Sequence, residues 1–322
     1  LVEFILRSGD LTSRSGTAAD KEAMLKGSRF HRKIQKQMGS TYQAEVPLKK
    51  ESEYEDLILC VEGRADGIFT ENEAVCIDEI KGIYKSLDSL EGPVPIHRAQ
   101  ALCYGWIYME SHDLERIDIQ MTYGQLDTEE IRRFRETVTR GELEKWYQNL
   151  MDEYHKWVSY QLAWRKERNA SMETLEFPFP YRKGQREMVA GVYHAISEEE
   201  QIFIQAPTGI GKTMSAIFPA VRAVGQGKGE KVFYLTARTI TRTVAEDAFS
   251  ILRGKGLHFK SITITAKEKM CFCDEMDCDP QKCPYAKGHY DRISDAVYEL
   301  WTKEEDFDRG TILAQGEKYS VC

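Results

Sequence analysis

Hydrophobic and polar positions change period several times along the chain, and each change predicts an element. Residues 20–38 carry apolar side chains at helical spacing and stop at Gly39-Ser40. Four runs with strand character follow, Tyr42–Pro47, Leu57–Glu62, Ala65–Thr70 and Ala74–Ile80. Pro95–Met109 returns to helical spacing, and Ile117–Tyr123 predicts one more strand. Helix, three or four strands, helix, strand implies an α/β layer with antiparallel hairpins. From Asp127 to Arg168 there is no proline, and Leu143, Trp146, Tyr147, Leu150, Tyr154 and Trp157 recur at helical spacing. One long helix or a helical pair is expected there. Its aromatic stripe suits a packing surface better than a base-stacking platform. Phe177-Pro178-Phe179-Pro180 ends it, because a residue before proline is pushed out of helical geometry.

Beyond that break, Met188–Ile196 predicts an apolar helix and Gln201–Gln205 a buried strand. Met214–Phe218 opens a helix, Lys231–Thr236 reads as a strand, Val244–Leu252 as a helix and Ser261–Thr265 as a strand. That alternation is the start of a doubly wound parallel sheet. Between the first strand and its helix lies Ala206-Pro207-Thr208-Gly209-Ile210-Gly211-Lys212-Thr213. Glycines let backbone N–H groups curl around phosphate oxygens, and the helix N-terminus adds its positive dipole end. Lys212 is expected to reach the outer phosphates of ATP, and the Thr213 hydroxyl to hold Mg2+. The usual phosphate loop has glycine where this chain has Ala206. An ordinary tight turn with a surface lysine is the bland alternative.

Length and charge narrow the classes. At 322 residues the chain has room for two domains, and 42% hydrophobic residues indicate globular structure. A net charge of −8 does not advertise a nucleic-acid binder, so any DNA contact must come from local basic patches. No apolar run approaches the ~20 residues that cross a bilayer. No signal peptide is visible, and a cytoplasmic protein with no membrane partner is expected. Cys60, Cys76 and Cys103 lie among apolar neighbours, as buried thiols do. Cys271, Cys273, Cys278, Cys283 and Cys322 are concentrated near the end, which in a cytosolic protein favours metal over disulfides.

Four polar features sit on the first half. Asp66 lies in Gly63-Arg64-Ala65-Asp66-Gly67; Glu79 and Lys81 flank Ile80 and leave one face of a strand. Gln100 and Tyr104 share a helix face, and His31 lies on the first helix. Singly these have plain readings: a hairpin turn, a solvated strand face, a surface histidine beside Arg29 and Arg32. Together, two carboxylates and an imidazole suit a hard divalent cation, while a lysine steadies developing negative charge. Such a set is equipped for phosphodiester hydrolysis.

In order and spacing these motifs resemble the RecB-type branch of the PD-(D/E)XK nucleases across most of residues 20–125. The resemblance implies that Asp66 and Glu79 bind Mg2+ or Mn2+, with His31 as an additional ligand. It makes Lys81 the catalytic lysine, and has Gln100 and Tyr104 contact DNA or brace the site. The four-cysteine cluster of some relatives is not expected here, because Cys60, Cys76 and Cys103 do not supply it.

The second half resembles the iron–sulfur helicases of superfamily 2, the XPD and DinG type. Arg182 and Gln185 match the segment that reads adenine. Ala206–Thr213, with Thr208, Gly209, Gly211, Lys212 and Thr213, matches motif I. Thr236-Ala237-Arg238-Thr239 looks like the segment that touches the DNA backbone; for Arg238 a helix-capping loop residue is the equal alternative. Cys271, Cys278, Cys283 and Cys322 fall where these helicases hold a [4Fe–4S] cluster; Cys273 is a fifth candidate for the place of Cys271, and zinc is the rival metal.

The resulting expectation is a RecB-like restriction-endonuclease fold at 1–125 and a helical connector at 126–176. A partial RecA-like parallel α/β motor follows at 177–266, interrupted by part of an iron–sulfur domain at 267–322. The water-activating motif and second motor domain of XPD relatives are expected beyond Cys322, so ATP turnover by this stretch is expected to stay at background. The expected whole is an ATP-dependent 5′-to-3′ DNA helicase fused to a metal-dependent nuclease, acting on single strands in DNA repair or processing. A non-cleaving DNA clamp and a nucleotide-binding scaffold with a zinc site are the alternatives.

Overall fold

Gln43–Tyr54 (β1), Leu57–Glu71 (β2) and Ala74–Ile83 (β3) form an antiparallel meander in the computed structural model. The structure describes all residues except 13–17, 55–56 and 237–238, and no side chains within 18–24 and 239–242. Glu71 pairs with Ala74 across Asn72 and Glu73, whose φ values of 49° and 67° are those of a two-residue type I′ hairpin. Arg116–Gln125 (β4) then pairs parallel with β3, and Ile131–Thr139 (β5) antiparallel with β4. The sheet order is β1-β2-β3-β4-β5. Parallel neighbours need a crossover, supplied by Pro95–Ser111 (α3), which begins on the proline favoured at a first helical turn.

β3 and β4 are buried on both faces, as a parallel pair between helices must be. Their register places Glu79 beside Met121 and Lys81 beside Tyr123. That face is the α3 side, since a Cβ at Gly105 would meet Ile119 at 2.7 Å and Ile117 at 3.8 Å. The opposite face carries Ile80, against which Phe30 and Ile34 of Ala18–Gln37 (α2) pack. Val2–Leu6 (α1) precedes it.

The chain divides into two compact units: Leu1–Lys156 with Cys273–Ser294 and Val321, and Trp157–Phe272 with Asp295–Ser320 and Cys322. Arg140–Glu173 (α4) contributes to both. In the first unit its Leu143, Tyr147 and Leu150 are buried, with Tyr147 against Trp106. In the second unit Trp157 stacks on Trp301 and Tyr160 meets the same ring edge-on, so these aromatics do serve packing. Helix was expected from residue 127, but 131–139 is strand. Ile131, Phe134 and Val138 are spaced three and four apart, as in a helix, yet burial along the segment alternates with period two, so pairing with β4 decides the outcome.

In the second unit Gln185–Ser197 (α5), Lys212–Gly225 (α6) and Thr239–Arg253 (α7) follow in order. Met214, Ile217, Phe218 and Val221 of α6 share a core with Ala248, Phe249 and Leu252 of α7 and with Met172 and Leu175. The expected strands at 201–205 and 231–236 are corrected: neither segment has strand structure. Phe203 is 94% exposed and Leu235 88%. A buried strand needs a ladder partner on each side and cover on each face, and among the described residues these segments have no ladder partner. Of 261–265, only Ser261–Ile262 (β6) pairs, parallel with Asp306–Phe307 (β7). Ile293–Lys303 (α8) and Arg309–Tyr319 (α9) complete the elements. Among the described residues no helix is long and apolar enough to cross a membrane.

Candidate functional site

The β1–β2 ladder is interrupted at one point. Pairing runs from Ala44 with Gly67 to Val46 with Ala65, skipping Glu45 and Asp66. Glu45 there takes a φ of 57°, in the left-handed region that non-glycine residues seldom occupy. The Asp66 side chain is thereby directed at β3, and its Oδ2 accepts the Ile80 N–H at 2.7 Å. That bond lies between Glu79 and Lys81. From α2, His31 Nδ1 approaches Asp66 Oδ1 to 3.5 Å, while Gln35 donates to the Asp66 carbonyl at 3.0 Å and to Glu45 at 3.0 Å.

Glu79 is 1% exposed. Lys81 Nζ contacts its Oε1 at 2.7 Å, whereas Oε2 is buried and has no hydrogen-bond partner among the described residues. Burial and then the Asp66 charge push the Glu79 carboxyl up to about 7, against the pull of Lys81. Lys81 also donates to Gln100 Oε1 at 3.0 Å, and Gln100 donates to the Tyr104 hydroxyl at 3.4 Å. Tyr104 in turn lies against β2, where a Cβ at Gly63 would come within 2.8 Å of its ring. Only glycine permits that approach. Four separated stretches thus form one polar chain, from His31 through Asp66, Glu79, Lys81 and Gln100 to Tyr104.

Two further groups were not singled out from the sequence. His97 Nδ1 lies 3.3 Å from the Tyr123 hydroxyl, which accepts the Val94 N–H at 2.9 Å. Burial, then the Lys81 charge, pull His97 down to about 4, so it is neutral at ordinary pH. Its spacing with Gln100 and Tyr104, i, i+3, i+7, is the signal that could have found it. Behind the sheet, buried Asp78 accepts from Thr122 at 2.6 Å, Gln120 at 3.1 Å and Tyr42 at 3.2 Å. Tyr42 crosses Gly67, which leaves no room for a Cβ. Nothing in the local sequence announces this network, because its members come from two strands and the segment just before β1.

For a cation the orphaned Glu79 oxygen beside the Asp66 charge is the fitting feature. Against it, among the described residues no three His, Cys, Asp or Glu side chains are gathered to hold a metal ion. The cysteines bear on the same point. Cys278 and Cys283 are buried with Ala286, and Cys273 and Tyr285 pack against them. These belong to the first unit, whereas Cys271 and Cys322 belong to the second.

In the second unit Gly209 and Gly211 take φ values of 84° and 86° and let the loop turn into α6. Lys212 Nζ donates to the Ala206 and Pro207 carbonyls at 2.9 and 3.2 Å, curled over its own loop. Arg182 donates to the Gly209 carbonyl. Gln185 accepts the Arg182 N–H at 3.0 Å, and its amide lies 2.6 Å from where a Gly211 Cβ would be. Arg182, Gln185 and the loop, 20 or so residues apart in sequence, therefore meet. Thr213 is contacted by the Tyr234 hydroxyl at 3.5 Å, and Thr208 is exposed. Arg238, expected at a DNA-contacting loop, lies outside the described residues.

Residues 182–298 match the DEAD/DEAH box helicase family. The match supports a superfamily 2 helicase domain within those residues. It covers the loop and its flanking helices, and the mixed α/β structure is compatible with a RecA-like domain. A solved structure described as "Crystal structure of SSO0001" is similar at 17% identity, with a TM-score of 0.29. The similarity covers 40% of this chain, which spans 59% of that one. No curated protein matches the chain.

Proposed function

We propose that the first unit is a metal-dependent DNA nuclease working beside an ATP-driven DNA motor of the XPD/DinG type. The observation that carries the nuclease is Glu79: a buried carboxylate with one oxygen on a lysine and the other left without a partner. A group so costly to bury is retained where its charge is used. Asp66, Glu79 and His31 would hold Mg2+ or Mn2+, which would supply Lewis-acid polarisation and make deprotonation of a water easier. Lys81 offers its ammonium to the negative charge that develops on the phosphoryl oxygens. Gln100 fixes the ammonium, and Tyr104 fixes Gln100 against β2.

In the motor, Lys212 would leave the Ala206 and Pro207 carbonyls for the ATP phosphates, and Thr213 would take the Mg2+. Arg182 and Gln185 would read the adenine, by their likeness to that segment of the family. Cys271, Cys278, Cys283 and Cys322 would hold a [4Fe–4S] cluster, for which four thiolates are the fitting donors. The motor would move 5′ to 3′ on single strands and feed the nuclease, in cytoplasmic DNA repair or processing.

The test is cleavage of end-labelled single-stranded DNA with Mg2+ or Mn2+, comparing the chain with Lys81→Ala. Metal-dependent products that fall by about a hundredfold in the variant are expected. A second reading, a DNA clamp that does not cut, is favoured by the ungathered ligand set. Intact binding with no products from either protein would select it.

A further inference from the structure

The helicase match gives the chain a nucleic-acid partner, and the net charge of −8 leaves open where such a partner is met. Among the described side chains of α2, three cations stand apart. Lys26 pairs with Asp127 at 3.7 Å and Lys33 pairs with Glu129, both on the turn between β4 and β5. Arg29, Arg32 and Lys36 are exposed and have no acidic partner among the described residues. Arg32 bonds only the Ser28 carbonyl of its own helix.

At about 100° per residue, positions 29, 32 and 36 fall within a ~60° sector of the helix. Phe30 and Ile34, packed on Ile80, define the opposite side, so this sector faces solvent. The three span about 10 Å of axis, at ~1.5 Å per residue. Over that length each strand of a DNA duplex carries about three charges along its axis, and an extended single strand somewhat fewer. The same helix holds His31 at Asp66, so a strand laid along its outer face passes within about one helix diameter of that carboxylate.

We propose that this outer face of α2 is a docking ridge for a DNA strand, with Arg29, Arg32 and Lys36 each taking a phosphate. Phosphate contacts of this kind position the strand without reading sequence. Each contact releases counterions and so adds to the salt dependence of binding. The ridge does not require cleavage, and it holds equally for a clamp.

The experiment is fluorescence anisotropy of a labelled oligothymidine, in EDTA to prevent cleavage, from roughly 50 to 200 mM salt. Arg29→Gln/Arg32→Gln/Lys36→Gln is expected to flatten the slope of log K against log salt by about 2, at ~0.7 per contact on single strands. The pair Lys26→Gln/Lys33→Gln, already neutralised by Asp127 and Glu129, is expected to change it by less than about 0.5. Single variants at 29, 32 and 36 should each flatten it by ~0.7, which keeps the test valid if the triple variant fails to fold. An unchanged slope in the triple variant, an equal loss in the control pair, or no binding by the original chain would overturn the ridge. Binding with the expected slopes but no cleavage in Mg2+ would keep the ridge and remove the nuclease.

Discussion

The phosphate loop and the carboxylate–lysine chain handle charge in opposite ways. Lys212 is exposed, bonded to carbonyls of its own loop, and gives up little of its hydration. Lys81 is bonded to a carboxylate that is almost wholly buried and is itself only a quarter exposed. In the loop the backbone itself supplies the turn, so eight consecutive residues suffice. In the chain from His31 to Tyr104 the geometry comes from α2, β2, β3 and α3, so no short stretch contains it. The loop can form as soon as its glycines turn; the buried carboxylate exists only when the sheet is complete. Buried charge is tolerated in one region and avoided in the other, which is the sign of different chemistry.

That contrast can be broken most sharply at Glu79. Glu79→Gln keeps the shape, removes the charge held beside Asp66, and should lower metal-dependent cleavage by about a hundredfold or more. The same change should raise stability in urea melts by about 1 kcal/mol, because a costly buried charge disappears. Loss of both activity and stability would make Glu79 a structural ion-pair partner only.

The next effect is at the loop. Lys212→Ala should weaken binding of a fluorescent ATP analogue about tenfold or more, since a charge-assisted bond to phosphate is lost. Its melting curve should stay within about 0.5 kcal/mol of the original, as for an exposed side chain. A large loss of stability would show that the lysine–carbonyl bonds hold the loop together.

The smallest effect concerns pH. His97 is pulled below its usual value in the folded state, so the unfolded chain binds the proton more readily. The stability it permits is present above the unfolded value and falls as pH drops toward about 4. From about pH 7 to about pH 5 the chain should lose up to ~2 kcal/mol that His97→Gln keeps. Parallel pH dependence in the two proteins would mean that His97 is hydrated.

The two regions also differ in what could be read beforehand. Gly209, Gly211 and Lys212 were legible because their roles are local: a positive φ and a cation at a helix start. Glu79 and Lys81 were legible as one strand face, and α3 does cover that face. The interruption of the ladder at Asp66 was not legible, since it depends on Glu45 adopting a φ that no sequence rule favours. Residues 131–139 were misread because their few apolar residues, Ile131, Phe134 and Val138, recur at helical spacing, and only pairing with β4 makes the segment a strand. The apolar runs at 201–205 and 231–236 have the composition of central strands, but composition cannot supply the neighbours that a ladder requires.

Sequence alone determined the period of most elements, the glycine turn that leads into α6 and the residue types on the faces of β3 and α3, because these depend on neighbours a few positions away. Tertiary structure alone decided that Asp66 bonds the backbone between Glu79 and Lys81, that Tyr104 fills the space above Gly63, and that Gln185 reaches Gly211. Those contacts join residues from 14 to more than 40 positions apart. Sheet register and helix packing set such distances, and neither is written in any single stretch of the chain.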